Sequence, residues 1–154
     1  MPASPNSKGE KQGGGTLLVH ATSIVYAKRA LIITGPSGSG KSALALHLMA
    51  LGAGLIADDQ TRITATPDGP PMASCPPALR GLIEARGLGI LTTNPARPAP
   101  VAAIVDLSQT EAARLPPERT RDLLGWPIPL FHKAATDHFA PALLLYLKGG
   151  RSSG

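Results

Sequence analysis

Apolar positions along the chain fall into short runs broken by turn residues, with one change of period. The stretch "TLLVHATSIVYAKRALIITG" (residues 16–35) is rich in β-branched and aliphatic residues and predicts two or three short strands. Its last part, "ALIIT", is almost continuously apolar, as a strand buried on both faces should be. "KSALALHLMAL" then switches to strong helix formers and predicts a helix, with Gly52 at its C-terminal cap. "GAGLIADD" is another apolar run and predicts a strand that ends in two carboxylates, Asp58 and Asp59. "TRITATPDGPPMASC" alternates on either side of a "PDG" turn and predicts a β-hairpin, after which Pro76 and Pro77 break the chain. "LIEARGLGILTT" predicts a strand, a glycine loop and a second strand; "NPARPAP" reads as a loop and "VAAIVDL" as a buried strand. "PPERTRDLLG" suits a short helix or turn, and "IPLFHK" a strand. "TDHFAPALLLYLK" predicts the last helix, capped by Thr136 or Asp137, with Pro141 near its first turn. Strands alternating with few helices point to an α/β fold on a mixed sheet with β-hairpins.

At 154 residues the simplest organisation is one domain. The expected boundaries are a flexible N-terminal tail over 1–15, ending in three glycines, a catalytic domain over 16–148, and a flexible tail over 149–154. Aromatics make up only 3% of the chain, so the core must be aliphatic. Of the formal charge of +5, the two tails carry one positive charge each. The moderately basic remainder suits a phosphate-rich ligand or an acidic partner. It argues against nucleic acid, because no basic run occurs and few aromatics are present to stack on bases. No apolar run approaches the roughly 18–20 residues of a membrane span, and the N-terminus lacks the apolar core of a secretion signal. The one cysteine, Cys75, has no internal disulfide partner, which suits a reducing compartment and a cytoplasmic protein.

"GPSGSGKS", covering Gly35, Pro36, Ser37, Gly38, Ser39, Gly40, Lys41 and Ser42, matches the phosphate-loop pattern, with a strand before it and a helix after it. The residue types explain themselves. Glycines let backbone N–H groups turn towards phosphate oxygens without a Cβ in the way, and the helix N-terminus adds a positive dipole end. Lys41 suits the β- and γ-phosphates, and Ser42 suits Mg²⁺. The pattern calls for a nucleoside triphosphate, ATP, with Mg²⁺. It does not name the acceptor.

Asp58 and Asp59 follow the loop after only one helix and one strand. If that strand returns beside the first in a parallel sheet, both carboxylates end at the edge that holds the loop. One can then help hold the metal, and the other can accept a proton from an attacking hydroxyl. "DDQT" is equally an ordinary solvated turn. Asp106, which ends the strand "VAAIVD", is a rival carboxylate of the Walker-B type, or an exposed strand-end acid.

Taken together, "HATSIVY", "LIITGPSGSGKSALAL", "LIADDQ" and "LIEARGLGIL" resemble HPr kinase/phosphorylase, with clear motifs from about His20 to Leu91 and a fainter likeness to about Lys148. The resemblance implies a P-loop kinase domain similar in fold to phosphoenolpyruvate carboxykinase, assembled as a homo-oligomer, a hexamer. It implies ATP- and Mg²⁺-dependent transfer to a serine of an HPr-like phosphocarrier protein of a phosphotransferase system, with phosphorolytic reversal. It places the base on Asp59, which acts as the acid in reverse, and a metal-side carboxylate on Asp58. It places the signature glutamate, a Mg²⁺ ligand, on Glu84, the signature arginine on Arg86, and the signature glycines on Gly87 and Gly89. His20 would assist the base, and a later family arginine falls on Arg114. Two apart on a strand, Glu84 and Arg86 would share a face. An exposed ion pair there is the plainer reading of "EAR" on its own.

The sequence departs from the family's pattern at several points. Pro36 stands where an acid is common in the loop, and Ala21 where glycine follows the histidine. The segment after "RGLGI" is short and proline-rich, and the chain is expected to be one of the family's short forms, without the separate N-terminal domain that most members carry. These departures bear on reversal more than on the kinase. Two other classes stay open. A small-molecule kinase would use Arg114, Arg119 and Arg121 as a lid cluster. A non-catalytic nucleotide-binding regulator would be free to lose the set Lys41, Ser42, Asp59 and Glu84, which this chain keeps.

Overall fold

The computed structural model describes residues 15–152. Eleven strands and two α-helices are present among them. The expected N-terminal tail, apart from Gly15, lies outside the described residues. Strands β1 (Thr16–Val19), β2 (Thr22–Tyr26) and β3 (Arg29–Thr34) open the chain, and helix α1 (Lys41–Ala50) follows the glycine loop. Next come β4 (Gly54–Ala57) and the β5–β6 hairpin (Thr61–Thr64, Met72–Ser74). A single 3-10 turn over Pro77–Leu79 leads into a separate two-stranded sheet of β7 (Leu82–Ala85) and β8 (Gly89–Thr92). Then come the long β9 (Ala99–Thr110), β10 (Thr120–Leu123), β11 (Trp126–Lys133) and the last helix, α2 (Phe139–Gly149).

The main sheet runs β1-β5-β6-β9-β3-β2-β4, with β11 pairing on β9 and β10 on β11. β3 lies parallel to β9 and antiparallel to β2, while β2 lies antiparallel to β4. Hence β3 and β4 run in the same direction and bring the phosphate loop and the two aspartates to one edge. They are not the neighbours that the sequence suggests. β2 is inserted between them, and this places the β1–β2 junction at the same edge.

β3 is buried on both faces, as its unbroken apolar run requires. Leu31 and Ile33 join a cluster with Ala45 and Leu48 of α1 and Leu143, Leu144 and Leu147 of α2. Ala30 and Ile32 join a second cluster with Ile56, Ile63, Ile104 and Ile128 on the other face. The helices therefore cover one face only. In α2 the buried residues Ala140, Leu143, Leu144 and Leu147 follow helical spacing, and Arg29 donates a 2.8 Å hydrogen bond to the Leu147 carbonyl.

Two sequence expectations need correction. "TRDL" in "PPERTRDLLG" is strand β10, not a helix or turn; only Leu124 and Gly125, both with positive φ, make the turn back into β11. Cross-strand pairing with β11 decides this, and a local reading cannot see it. The N-cap of α2 is His138 rather than Thr136 or Asp137, and it makes no side-chain capping bond.

Candidate functional site

β3 delivers the chain into the glycine loop at Gly35, whose φ is +149°. A Cβ built there would lie 2.5 Å from Ser39 Oγ and 3.2 Å from Leu107 Cβ. Glycine therefore lets the loop close on itself, and the Ser39 N–H donates to the Pro36 carbonyl at 3.0 Å. Gly38 and Gly40 have φ of +84° and +104° and no atom within 4 Å of an added Cβ, so the space above them is open. Gly40 caps α1 without a side chain, which leaves the first-turn N–H groups uncapped by any side chain. The Ser39 hydroxyl is buried and has no hydrogen-bond partner among the described residues. The Lys41 side chain is buried, and its Nζ donates to the carbonyls of Gly35 at 2.9 Å and Pro36 at 3.3 Å. Open glycines, uncapped amides, a lone buried hydroxyl and a cation held at the loop together fit a polyphosphate.

The carboxylates stand beside this loop. Asp58 Oδ1 accepts hydrogen bonds from Ser42 Oγ at 2.7 Å and Thr22 Oγ1 at 2.9 Å. Asp58 Oδ2 accepts from the Glu84 backbone N–H at 3.0 Å. The adjacent Asp59 is left-handed at φ +71°, and its N–H donates to Thr22 Oγ1 at 3.1 Å. Its Oδ1 lies 2.6 Å from His20 Nε2. Both partners of that contact are more than half exposed, so the pair faces solvent at the lip of the site. His20 stands in the one-turn link between β1 and β2, which sheet order puts against the end of β4.

Of the metal candidates, Ser42 and Asp58 are in direct contact, and Glu84 joins them through its main chain. Ser42 and the Glu84 main chain both touch the Asp58 carboxylate, and the exposed Glu84 side chain makes no hydrogen bond or ion pair among the described residues. Among the described residues no group of three or more His, Cys, Asp or Glu side chains is arranged to hold a metal. Two carboxylates and a hydroxyl fit Mg²⁺, which takes one or two protein carboxylates and completes its shell with phosphate oxygens and water.

Arg86 and Arg114 are not brought into this network. β7 ends at Ala85, so Arg86 begins the β7–β8 turn instead of sharing a strand face with Glu84. Gly87 and Gly89 have φ of +94° and +121°, and this conformation, not close approach of other atoms, is what requires glycine there. Arg114 is exposed in the loop after β9 and makes no hydrogen bond or ion pair among the described residues. The rival carboxylate, Asp106, pairs in register with Thr34 at the end of β3, next to the loop. It is already engaged: Ser108 donates to its Oδ1 from both N–H and Oγ, and Arg121 donates to Oδ2 at 3.0 Å. Burial alone would raise its pKa, but the Ser108 and Arg121 hydrogen bonds outweigh that and lower it.

Thr22 escaped the sequence reading. The signal was present as "TS" in an otherwise apolar strand. Thr22 and Ser23 are both fully buried, and buried hydroxyls need partners. Ser23 finds Thr61 at 2.9 Å, and Thr22 finds the aspartates. Beside His20 a groove of about 770 Å³ opens between β1 and β10, lined by Leu17, Val19, Ile63, Ile104 and Leu123, with Arg121 at its polar end.

A model of the HPr Serine kinase C-terminal domain matches residues 15–96. The HPr kinase/phosphorylase of Bordetella pertussis is 38% identical over 125 residues, covering 73% of this chain and 41% of that protein. The enzyme of the same name from Burkholderia cenocepacia is 40% identical over 111 residues, covering 64% of this chain and 34% of that protein. The chain thus spans about two fifths of the length of the curated relatives it matches. Among solved structures, the Hpr(Ser) kinase/phosphatase from Coxiella burnetii superposes with a TM-score of 0.68 over 85% of this chain and 87% of that one, at 23% identity, a likeness of fold.

Proposed function

This chain belongs to the HPr serine kinase C-terminal domain family, and from that premise we propose that it is an ATP- and Mg²⁺-dependent kinase that phosphorylates a serine of an HPr-like phosphocarrier protein. The observation that carries the reading is the His20–Asp59 pair at 2.6 Å, held beside the phosphate loop. A loop that only held nucleotide would have no use for a solvent-facing acid–base pair next to it. A kinase needs one to receive a hydroxyl proton.

In this reading the loop amides, the Ser39 hydroxyl and Lys41 bind the polyphosphate, and Ser42, Asp58 and Glu84 would hold Mg²⁺. When bound, nucleotide and metal supply the phosphoryl group and neutralise its charge. The chain's own residues do the rest. Asp59 orients the acceptor hydroxyl and takes its proton as the serine oxygen bonds to phosphorus and the bond to the departing diphosphate breaks. His20 holds the Asp59 carboxylate in place and shares the charge. Arg86 and Arg114, both exposed, are assigned to steadying phosphate charge once the acceptor docks. In reverse, inorganic phosphate attacks the phosphoserine phosphorus, the bond to the serine oxygen breaks, pyrophosphate leaves, and the proton returns from Asp59 to the serine oxygen.

The reading extends to a single catalytic unit over 16–148, to the cytoplasm, in keeping with one unpaired cysteine, and to a homo-oligomer, for which the exposed Leu88, Ile90 and Leu145 supply apolar surface. The lid cluster of a small-molecule kinase has less support, because Arg119 is paired with Glu111 and Arg121 with Asp106.

The test is transfer of label from Mg²⁺ and labelled ATP to an HPr-type carrier. We expect label on a carrier serine, its release as pyrophosphate when inorganic phosphate is added, and loss of transfer in Asp59→Asn with nucleotide binding kept. Phosphorylation of a metabolite with none of the carrier would sink the proposal.

A further inference from the structure

Beyond the residues assigned above, and resting on that reading, we infer that Thr22 is the positioning residue that gives the two adjacent aspartates their separate tasks. Thr22 opens β2 and is fully buried. Its Oγ1 donates its single proton to Asp58 Oδ1 at 2.9 Å and accepts the Asp59 N–H at 3.1 Å. One hydroxyl thus reaches the side chain of one aspartate and the main chain of the next.

The two bonds do different work. The first fixes the Asp58 carboxylate with Oδ1 towards Ser42 and Oδ2 towards the Glu84 amide. The second holds Asp59 at φ +71°, a conformation that a residue other than glycine keeps only when its surroundings fix it. That turn of the backbone sends the Asp59 side chain to His20 and away from the Asp58 carboxylate. No apolar residue can replace Thr22, because the position needs a donor and an acceptor on one short side chain, and only serine and threonine hydroxyls offer both in that space. Without the hydroxyl, Asp59 loses the bond that keeps its left-handed turn, and the base drifts from the hydroxyl it must meet. Nucleotide binding rests on the loop amides and Lys41 and persists at saturating Mg²⁺, whereas the loosened Asp58 raises the Mg²⁺ concentration required.

The test compares Thr22→Val, Thr22→Ala and Thr22→Ser in the full chain. Protection of the Asp59 amide against hydrogen exchange, read by NMR on the free protein, should fall about tenfold in the valine and alanine variants and survive in serine. The turnover number towards an HPr-type carrier should fall about 10- to 100-fold in the same two variants, as for other residues that orient a reacting group. At saturating Mg²⁺ the KM for ATP should stay within about twofold, and serine should restore the rate. The melting curve of each variant identifies any that fails to fold; if valine does, alanine and serine decide. Unchanged amide protection and unchanged turnover in the alanine variant overturn the inference, as does a serine variant no better than alanine. If the wild-type protein transfers nothing to the carrier, the proposed function falls. The exchange measurement still decides the role of Thr22.

Discussion

Gly35→Ala should damage the protein more than Gly38→Ala does, although both glycines lie in the same loop. At Gly35 the new methyl would sit 2.5 Å from Ser39 Oγ and 3.2 Å from both Ser39 Cβ and Leu107 Cβ. The Ser39 hydroxyl can rotate away, but the two carbon contacts cannot be relieved without moving backbone. Forcing a methyl into such a space costs about 1–3 kcal/mol. A φ of +149° suits glycine and adds about 1 kcal/mol for alanine. The sum, about 2–4 kcal/mol, corresponds to a melting temperature lower by about 4–16 °C for a chain of this size. At Gly38 only the backbone term acts, because nothing lies within 4 Å, so the loss should be about 1–2 kcal/mol. Calorimetry of both variants, with titration of an ATP analogue, measures the difference. The loop can escape the clash only by opening, which would spare stability but weaken nucleotide binding. A Gly35→Ala protein that melts with Gly38→Ala and binds the analogue as tightly would refute the packing argument.

Lys41→Met keeps the stem of the side chain but removes the cation that rests on the Gly35 and Pro36 carbonyls. Losing one charge-assisted contact to phosphate is worth about 1.5–3 kcal/mol, so titration calorimetry should show ATP affinity down by about tenfold or more; an unchanged affinity would remove Lys41 from the phosphate site. Asp106 has its pKa lowered from 3.8 on folding because the Ser108 and Arg121 hydrogen bonds outweigh burial, so its stabilisation is present above that pH and is lost as pH falls through the lowered value. Asp106→Asn should therefore make the urea midpoint less sensitive to acid below about pH 4; an equal acid sensitivity in both proteins would contradict that linkage.

Much of the fold was legible because local pattern and tertiary environment agree. The run "ALIIT" is apolar throughout because helices cover one face of β3 and a second apolar cluster covers the other. "TPDGP" makes a hairpin turn because its residues suit one whatever surrounds them. β10 was missed because "TRDL" has little strand preference of its own, and its pairing with β11 across a tight turn supplies the rest. The insertion of β2 between β3 and β4 was missed for a related reason: hydrophobic period tells which residues are buried, and not which strand lies beside which. The site does not depend on that neighbour, since the shared direction of β3 and β4 alone brings the two strand ends to one edge.

The site was legible in its parts and less so in its connections. "GPSGSGKS" announces itself because backbone geometry demands glycine at fixed places. "ADD" announces two carboxylates but cannot divide them, since neighbours in sequence have equal claims. The division proposed for them rests on a left-handed turn at Asp59 and on a threonine 37 residues away that accepts its N–H. Neither is visible in composition or period. A left-handed aspartate looks like any other in a sequence, and a buried threonine in a strand looks like a β-branched core residue. What distinguishes Thr22 is that it stands fully buried beside a polar neighbour, Ser23, at the edge where the phosphate loop, His20 and both aspartates meet. Buried hydroxyls at such an edge must be satisfied by something, and here the groups that satisfy Thr22 are those proposed to carry the reaction.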